Sequence, residues 1–166
     1  MSAQLQFEPR APQREALTLA DLGAVLAIEH SVYAFPWTRG NFIDSLAAGY
    51  AAHLLRNAEG APCAYCLAMP GVQEMHLLNL TVAPARQHRG LARCLLDGLV
   101  ADSRAAGALW LWLEVRDSNQ RAREVYHRYG FEPIGLRRGY YPAAAGQRED
   151  ACVMRLPLEE RRDALD

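Results

Sequence analysis

The run Arg86-Gln87-His88-Arg89-Gly90-Leu91-Ala92 carries the spacing Gln-x-x-Gly-x-Ala between an apolar stretch ending in Leu80-Thr81-Val82 and an amphipathic stretch that begins near Gly90. Small residues where a strand turns into a helix leave backbone N–H groups open and present the positive end of the helix, so the junction suits a pyrophosphate. It is not a nucleoside-triphosphate loop, since neither Gly-Lys-Ser/Thr nor Gly-x-Gly-x-x-Gly occurs. Two further side chains can move protons. Leu109, Leu111 and Leu113 alternate with Trp110, Trp112 and Glu114, so a carboxylate ends one face of an apolar strand, either as a proton acceptor or paired with Arg116 or another base at the strand end. Tyr126 follows on a helix, and a phenol with an ordinary pKa of about 10 is protonated at neutral pH and can donate. Ala122, Val125, Tyr126 and Tyr129 share helical spacing, which equally suits core packing.

The elements around these groups follow from periodicity. Ala16-Leu17-Thr18-Leu19 predicts a first strand, and Leu19 to Val32 a helix. Pro36 interrupts before a second helix with Thr38 as its cap. Tyr50 to Arg56, Ala61 to Met69 and Glu74 to Val82 predict three strands joined by Asn57–Gly60 and by a Pro70-Gly71 turn, an antiparallel meander. From Gly90 to about Ala106, Leu91, Cys94, Leu95, Leu99 and Val100 form a helical stripe ended by Gly107. A strand about Leu111, a helix about Val125, a strand from Phe131 to Arg137 and a strand from Asp150 to Leu156 complete the order. The expected fold is α/β, a single domain over residues 14–157 with a mixed, mainly antiparallel central sheet flanked by helices. Residues 1–13, with Pro9 and Pro12, are expected to form a flexible lead, and 158–166 a tail.

Composition bounds the partners. The chain has 166 residues, 51% of them hydrophobic, enough for one core. With 18 Lys+Arg against 19 Asp+Glu, no overall basicity argues for nucleic acid. No stretch approaches the roughly 20 apolar residues of a membrane span, and Met1–Gln6 has no signal-peptide character, so the cytosol is expected. Cys63 and Cys66 lack a second ligand pair, and in a strand residues three apart point to opposite faces, so a structural role is expected and no metal is implied.

The order of these motifs, with Ala34-Phe35-Pro36-Trp37, Leu111-Trp112-Leu113-Glu114-Val115-Arg116, Asn119 and Arg137-Arg138-Gly139-Tyr140-Tyr141-Pro142, resembles the GNAT acyl-CoA N-acyltransferase superfamily. Within it the chain is similar to the bacterial ribosomal-protein-alanine N-acetyltransferases. The resemblance implies acetyl-CoA as co-substrate, no metal, and as acceptor the N-terminal amine of a protein, an alanine-starting small-subunit ribosomal protein. It implies Glu114 as proton acceptor and Tyr126 as proton donor in direct transfer through a ternary complex. Leu80, Thr81 and Val82 then flank the pantetheine arm, His88, Arg89, Gly90, Leu91, Ala92 and Arg93 hold the pyrophosphate, and Asn119 touches the cofactor or caps its helix. Phe35-Pro36-Trp37 and Tyr140-Tyr141-Pro142 are expected to wall the acceptor groove or close the core, and Asp44, Glu149 and Asp150 to attract a basic peptide or lie in solvent. A small-molecule amine or a lysine as acceptor, and a noncatalytic acyl-CoA-binding module, are the alternatives.

Overall fold

The computed structural model describes residues 12–158; the expectations for residues 1–11 and 159–166 lie outside the described residues. The strands are β1 (Arg14–Ala16), β2 (Ala51–Arg56), β3 (Pro62–Pro70), β4 (Glu74–Val82), β5 (Trp110–Arg116), β6 (Glu132–Pro142) and β7 (Arg148–Pro157). The helices are α1 (Leu22–Val32), α2 (Arg39–Ala47), α3 (Leu91–Ala105) and α4 (Gln120–Tyr129). Thr38 caps α2 as expected, its hydroxyl accepting from Asn41 N at 3.2 Å. Gly107 ends α3 at φ +80°, the left-handed conformation that glycine adopts without strain.

The strands form one sheet in the order β1-β2-β3-β4-β5-β7-β6. Only β4 and β5 run parallel, and their ladder covers just Glu74–Leu77 against Trp110–Leu113. Beyond it β4 stays paired with β3 up to Val82, while β5 stays paired with β7 up to Arg116. The sheet therefore opens into a wedge at its centre. A register shift between Leu67 and Ala68 leaves Leu78 as an extra residue of β4, a bulge at the start of that divergence.

Each sheet face has its own core. One holds Leu95, Leu96 and Leu99 of α3 and Tyr126 of α4 against Leu111, Leu113 and Val115 of β5. The other holds Leu22 and Val25 of α1 and Phe42 of α2 against Leu54, Tyr65 and Leu67. Alternation along β5 thus places Trp110, Trp112, Glu114 and Arg116 on the face opposite Tyr126. At the sheet edge, Arg14 crosses α3 beside Gly98, where a Cβ would lie 2.5 Å from its Nε, and pairs with Asp102 at 2.5 Å.

Two local expectations are corrected. The first strand lies earlier than residues 16–19, because the Asp21 carboxylate accepts from Thr18 N at 2.9 Å and Thr18 Oγ1 at 3.1 Å and draws Leu19–Asp21 into a 3-10 turn. Cys63 and Cys66 face the same core rather than opposite sides, because a register shift between Leu55 and Arg56 inserts an extra residue in β3. Both thiols are free and burial pushes their pKa values up, that of Cys66 to about 12, which leaves them inert.

Candidate active site

The wedge between β4 and β5 is a cavity of about 770 Å³. Leu80, Thr81 and Val82 form one wall, and their strand has no β5 partner there. Arg116, Asn119, Ala122, Val125 and Tyr126 form the facing wall, with Tyr33 and Phe35 from the segment after α1 at one end. His88, Gly90, Leu91, Ala92 and Arg93 line the other end. Of the proposed site residues, ten of the twelve share this cavity. Arg89 is exposed and Glu114 lies beyond the wall, one alternation from Arg116.

At the loop end, Gly90 is left-handed at φ +76° and forms the N-cap of α3 without a side-chain cap. The first-turn N–H groups are consequently available to a ligand; Cys94 N is the first to bond back, to Gly90 O at 3.0 Å. A Cβ on Gly90 would meet no protein atom, so torsion, not crowding within the chain, demands glycine here. Gln87 fixes the loop, donating to Val82 O at 3.3 Å and accepting from Arg121 Nη1 at 2.5 Å. Arg86, Arg93, Arg121 and Arg128 also line the cavity and no acid occupies the first turn of α3, so this end fits the anionic part of a coenzyme.

Tyr126 is buried with its ring edge-on to Phe131 at 5.5 Å, so the packing role and a place on the cavity wall coexist. Burial, with the nearby phenols of Tyr33 and Tyr141, pushes its pKa well above 10. Asn119 caps α4, accepting from Ala122 N at 3.1 Å, and also lines the cavity.

Glu114 is paired, but not with Arg116. Its Oε2 lies 2.5 Å from His76 Nε2, and its Oε1 lies 3.3 Å from Arg137 Nε without hydrogen-bond geometry. Arg116 instead pairs with Glu149 at 2.7 Å and lies over the rings of Phe35 and Tyr141, at 5.3 and 4.6 Å. This arginine holds the Glu149 carboxyl below its ordinary range and spans the segment after α1 and the β6–β7 region. Trp37 packs on Phe42 at 5.2 Å and closes the core, whereas Phe35 is exposed at the cavity. Tyr141 donates to Glu114 O at 3.1 Å. Asp150 accepts from Gly139 N at 2.8 Å, and Asp44 is exposed on α2.

A buried polar chain was invisible to spacing. Glu29 on α1, 1% exposed, accepts from Trp37 N at 2.9 Å, Asn79 Nδ2 at 3.2 Å and the Tyr65 hydroxyl. Thr81 Oγ1 donates to Asn79 Oδ1 at 2.7 Å, so the Tyr33 hydroxyl, 2.8 Å from Thr81 Oγ1, must be the donor of that pair. Every donor in the chain runs towards Glu29, tying the segment after α1 to β4. Tyr33 stands just before Ala34-Phe35-Pro36, an adjacency that was the available signal for it.

Residues 22–131 match the acetyltransferase (GNAT) family. The [ribosomal protein bS18]-alanine N-acetyltransferase of Salmonella typhimurium is 38% identical over 142 residues, 86% of this chain and 95% of that protein. The crystal structure of the ribosomal-protein-S18-alanine N-acetyltransferase from Escherichia coli superposes with a TM-score of 0.82 at 35% identity, covering 93% of this chain and 99% of that one. A Salmonella typhimurium protein solved with its cofactor acetyl-CoA shares the fold at 20% identity, with a TM-score of 0.73 over 90% of this chain and 95% of that one. With the family matched across both walls of the wedge and the relatives matched over nearly their whole length, the chain belongs to the acetyltransferase (GNAT) family.

Proposed function

We propose that this chain is an N-α-acetyltransferase that moves acetyl from acetyl-CoA to the N-terminal alanine of the small-subunit ribosomal protein bS18, directly and within a ternary complex. The observation that carries this reading is the wedge. It opens the sheet between an anion-binding loop and phenol on one face and a carboxylate on the other, so that thioester and amine can meet from opposite sides.

In this reading the first turn of α3 and the surrounding arginines hold the coenzyme phosphates, and the free edge of β4 at Leu80–Val82 runs beside the pantetheine arm. A backbone N–H of that edge stabilises the oxyanion as the amine nitrogen attacks the thioester carbon. Before that attack Glu114 takes a proton from the acceptor ammonium and so frees the nitrogen lone pair; the C–S bond then breaks, the Tyr126 phenol gives its proton to the departing sulfur, and the remaining extra proton on the new amide nitrogen leaves to solvent. In this reading the two proton carriers work from opposite faces of β5, so the amine and the departing sulfur are served from different sides. The acceptor enters past Phe35 and the β6–β7 region. The reaction belongs to the cytosol, where ribosomal proteins and acetyl-CoA meet, and no helix of the described residues is long and apolar enough to cross a membrane.

The test is acetylation of a peptide carrying the bS18 N-terminus, against its N-terminally blocked form, with the modified atom located by fragmentation mass spectrometry. The α-amine should carry the acetyl group and the blocked peptide should stay unmodified. Acetyl on a lysine of both peptides points to the lysine-directed alternative, and acetyl-CoA binding without transfer to any amine points to a binding module.

A further inference from the structure

His76 lies directly opposite Trp112 in the short parallel ladder of β4 and β5. Its ring stacks on the indole at 3.6 Å with 9° between the planes. In that pose Nε2 reaches Glu114 Oε2 at 2.5 Å, with the two side chains only 10% and 5% exposed. The other ring nitrogen, Nδ1, is buried and without a hydrogen-bond partner.

This asymmetry selects a tautomer. A proton on Nδ1 would be a buried, unpaired N–H and would set the Nε2 lone pair against a carboxylate oxygen. A proton on Nε2 satisfies both groups, so Nε2–H donates to Oε2. Oε1 is left with Arg137 Nε at 3.3 Å, outside hydrogen-bond geometry, and keeps a free lone pair.

We propose that His76 is a positioning residue for acetyl transfer: by donating from Nε2 to Oε2 it fixes the Glu114 carboxylate and leaves Oε1 as the atom that receives the amine proton. The inference rests on the reading of Glu114 as proton acceptor. The other charged or titratable groups around the pair are accounted for. Arg137 approaches Oε1, Tyr141 uses its hydroxyl on Glu114 O, and Arg155, opposite Trp112 in the ladder, lies over Trp110. Arg116 is held by Glu149, and Glu29 on α1 is occupied by Tyr65, Asn79 and Trp37.

The two amide side chains provide the test. A glutamine places its amide nitrogen where Nε2 sits, whereas an asparagine reaches only to the Nδ1 position. In the full chain, kcat/KM for the peptide is measured against pH for His76→Gln, His76→Asn, His76→Leu and Glu114→Gln, with acetyl-CoA affinity determined separately. His76→Asn and His76→Leu should lose about tenfold, the contribution of a hydrogen bond to a charged group. Their acidic limb should move to higher pH, because a hydrogen bond to the charged form of a carboxylate favours that form. His76→Gln should recover most of the rate and the parental limb, and acetyl-CoA affinity should be unchanged in all three. Equal profiles for His76→Gln and His76→Asn, with Glu114→Gln impaired, overturn the role of His76 alone. A parental rate in Glu114→Gln overturns the reading of Glu114 and the inference together.

Discussion

The Tyr33 hydroxyl and Thr81 Oγ1 lie 2.8 Å apart, joining the segment after α1 to the stretch of β4 that has lost its β5 partner. Burial pushes the Tyr33 pKa up to about 12, so the phenol remains a donor at any working pH. Tyr33→Phe removes that donor from a chain of bonds ending on Glu29. The expected result is a stability loss of about 0.5–1.5 kcal/mol in denaturant titration. Because Phe35 stands on this segment, KM for the peptide should rise several-fold while kcat stays near the parental value.

Gly90 separates a torsional demand from a steric one. Gly90→Val forces a β-branched residue to φ +76°, at a strain of about 1–2 kcal/mol, and projects a side chain towards the space before α3. Gly90→Asn meets the torsion with less strain, since asparagine tolerates the left-handed region. Calorimetric titration with acetyl-CoA should find the Val variant at least about tenfold weaker and the Asn variant between it and the parent. Parental affinity in the Val variant would remove the phosphate-binding assignment from this loop.

The proposed acid and base respond differently to pH. Glu114→Gln should slow single-turnover transfer at neutral pH by about 10²- to 10⁴-fold, a deficit that shrinks at high pH as the amine arrives neutral. Tyr126→Phe should slow transfer with no such rescue, because added base cannot replace an acid. Burial, with Tyr33 and Tyr141, holds the Tyr126 pKa well above 10, so the parent should lose no activity below pH 10 through this phenol. An alkaline limb near pH 8 that vanishes in Tyr126→Phe would contradict that.

Acid stability should depend on Asp21. Burial raises its pKa, but Thr18 N–H, Arg56 and the Thr18 hydroxyl together outweigh that and leave it lowered. A carboxylate whose folded pKa lies below its unfolded value of about 3.9 stabilises the fold above that value and stops doing so as pH falls through the folded pKa. Asp21→Asn should lower the melting temperature by a few degrees at pH 7. The gap from the parent should close below about pH 4, and a gap of constant size down to pH 2 would assign the loss to packing instead.

Local signals carried much of this architecture. The Pro70-Gly71 turn, the three strands of the meander and the glycine before α3 are encoded within a few neighbouring residues, and each appears where expected. The left-handed glycine ahead of an open first helical turn was legible for the same reason. What was not legible depends on distant partners. The bulge at Leu78, the end of the ladder at Leu77 and the pairing of β7 between β5 and β6 are settled by strands far apart in the chain. His76 is an unremarkable histidine in an apolar strand until the parallel register sets it two residues short of Glu114 on the neighbouring strand. Arg116 was the nearest base to Glu114 in sequence, yet it turns to Glu149, because β7 brings that acid alongside it.

The position of β7 has a consequence for how the molecule is made. A ribosome delivers β5 and β6 before the strand that lies between them, so neither can pair with that strand until residues 148–157 have emerged. Until then the Glu114 strand has at most its four-residue ladder with β4, and the partner that should cover its other side does not yet exist. A nascent chain halted at Gly146 would therefore not be a slightly shortened enzyme but a sheet missing an interior strand, with sticky edges and with Glu114 on a strand left open on one side. Activity is thereby tied to completed synthesis, and prematurely terminated products become substrates for chaperones and proteases rather than partially working catalysts.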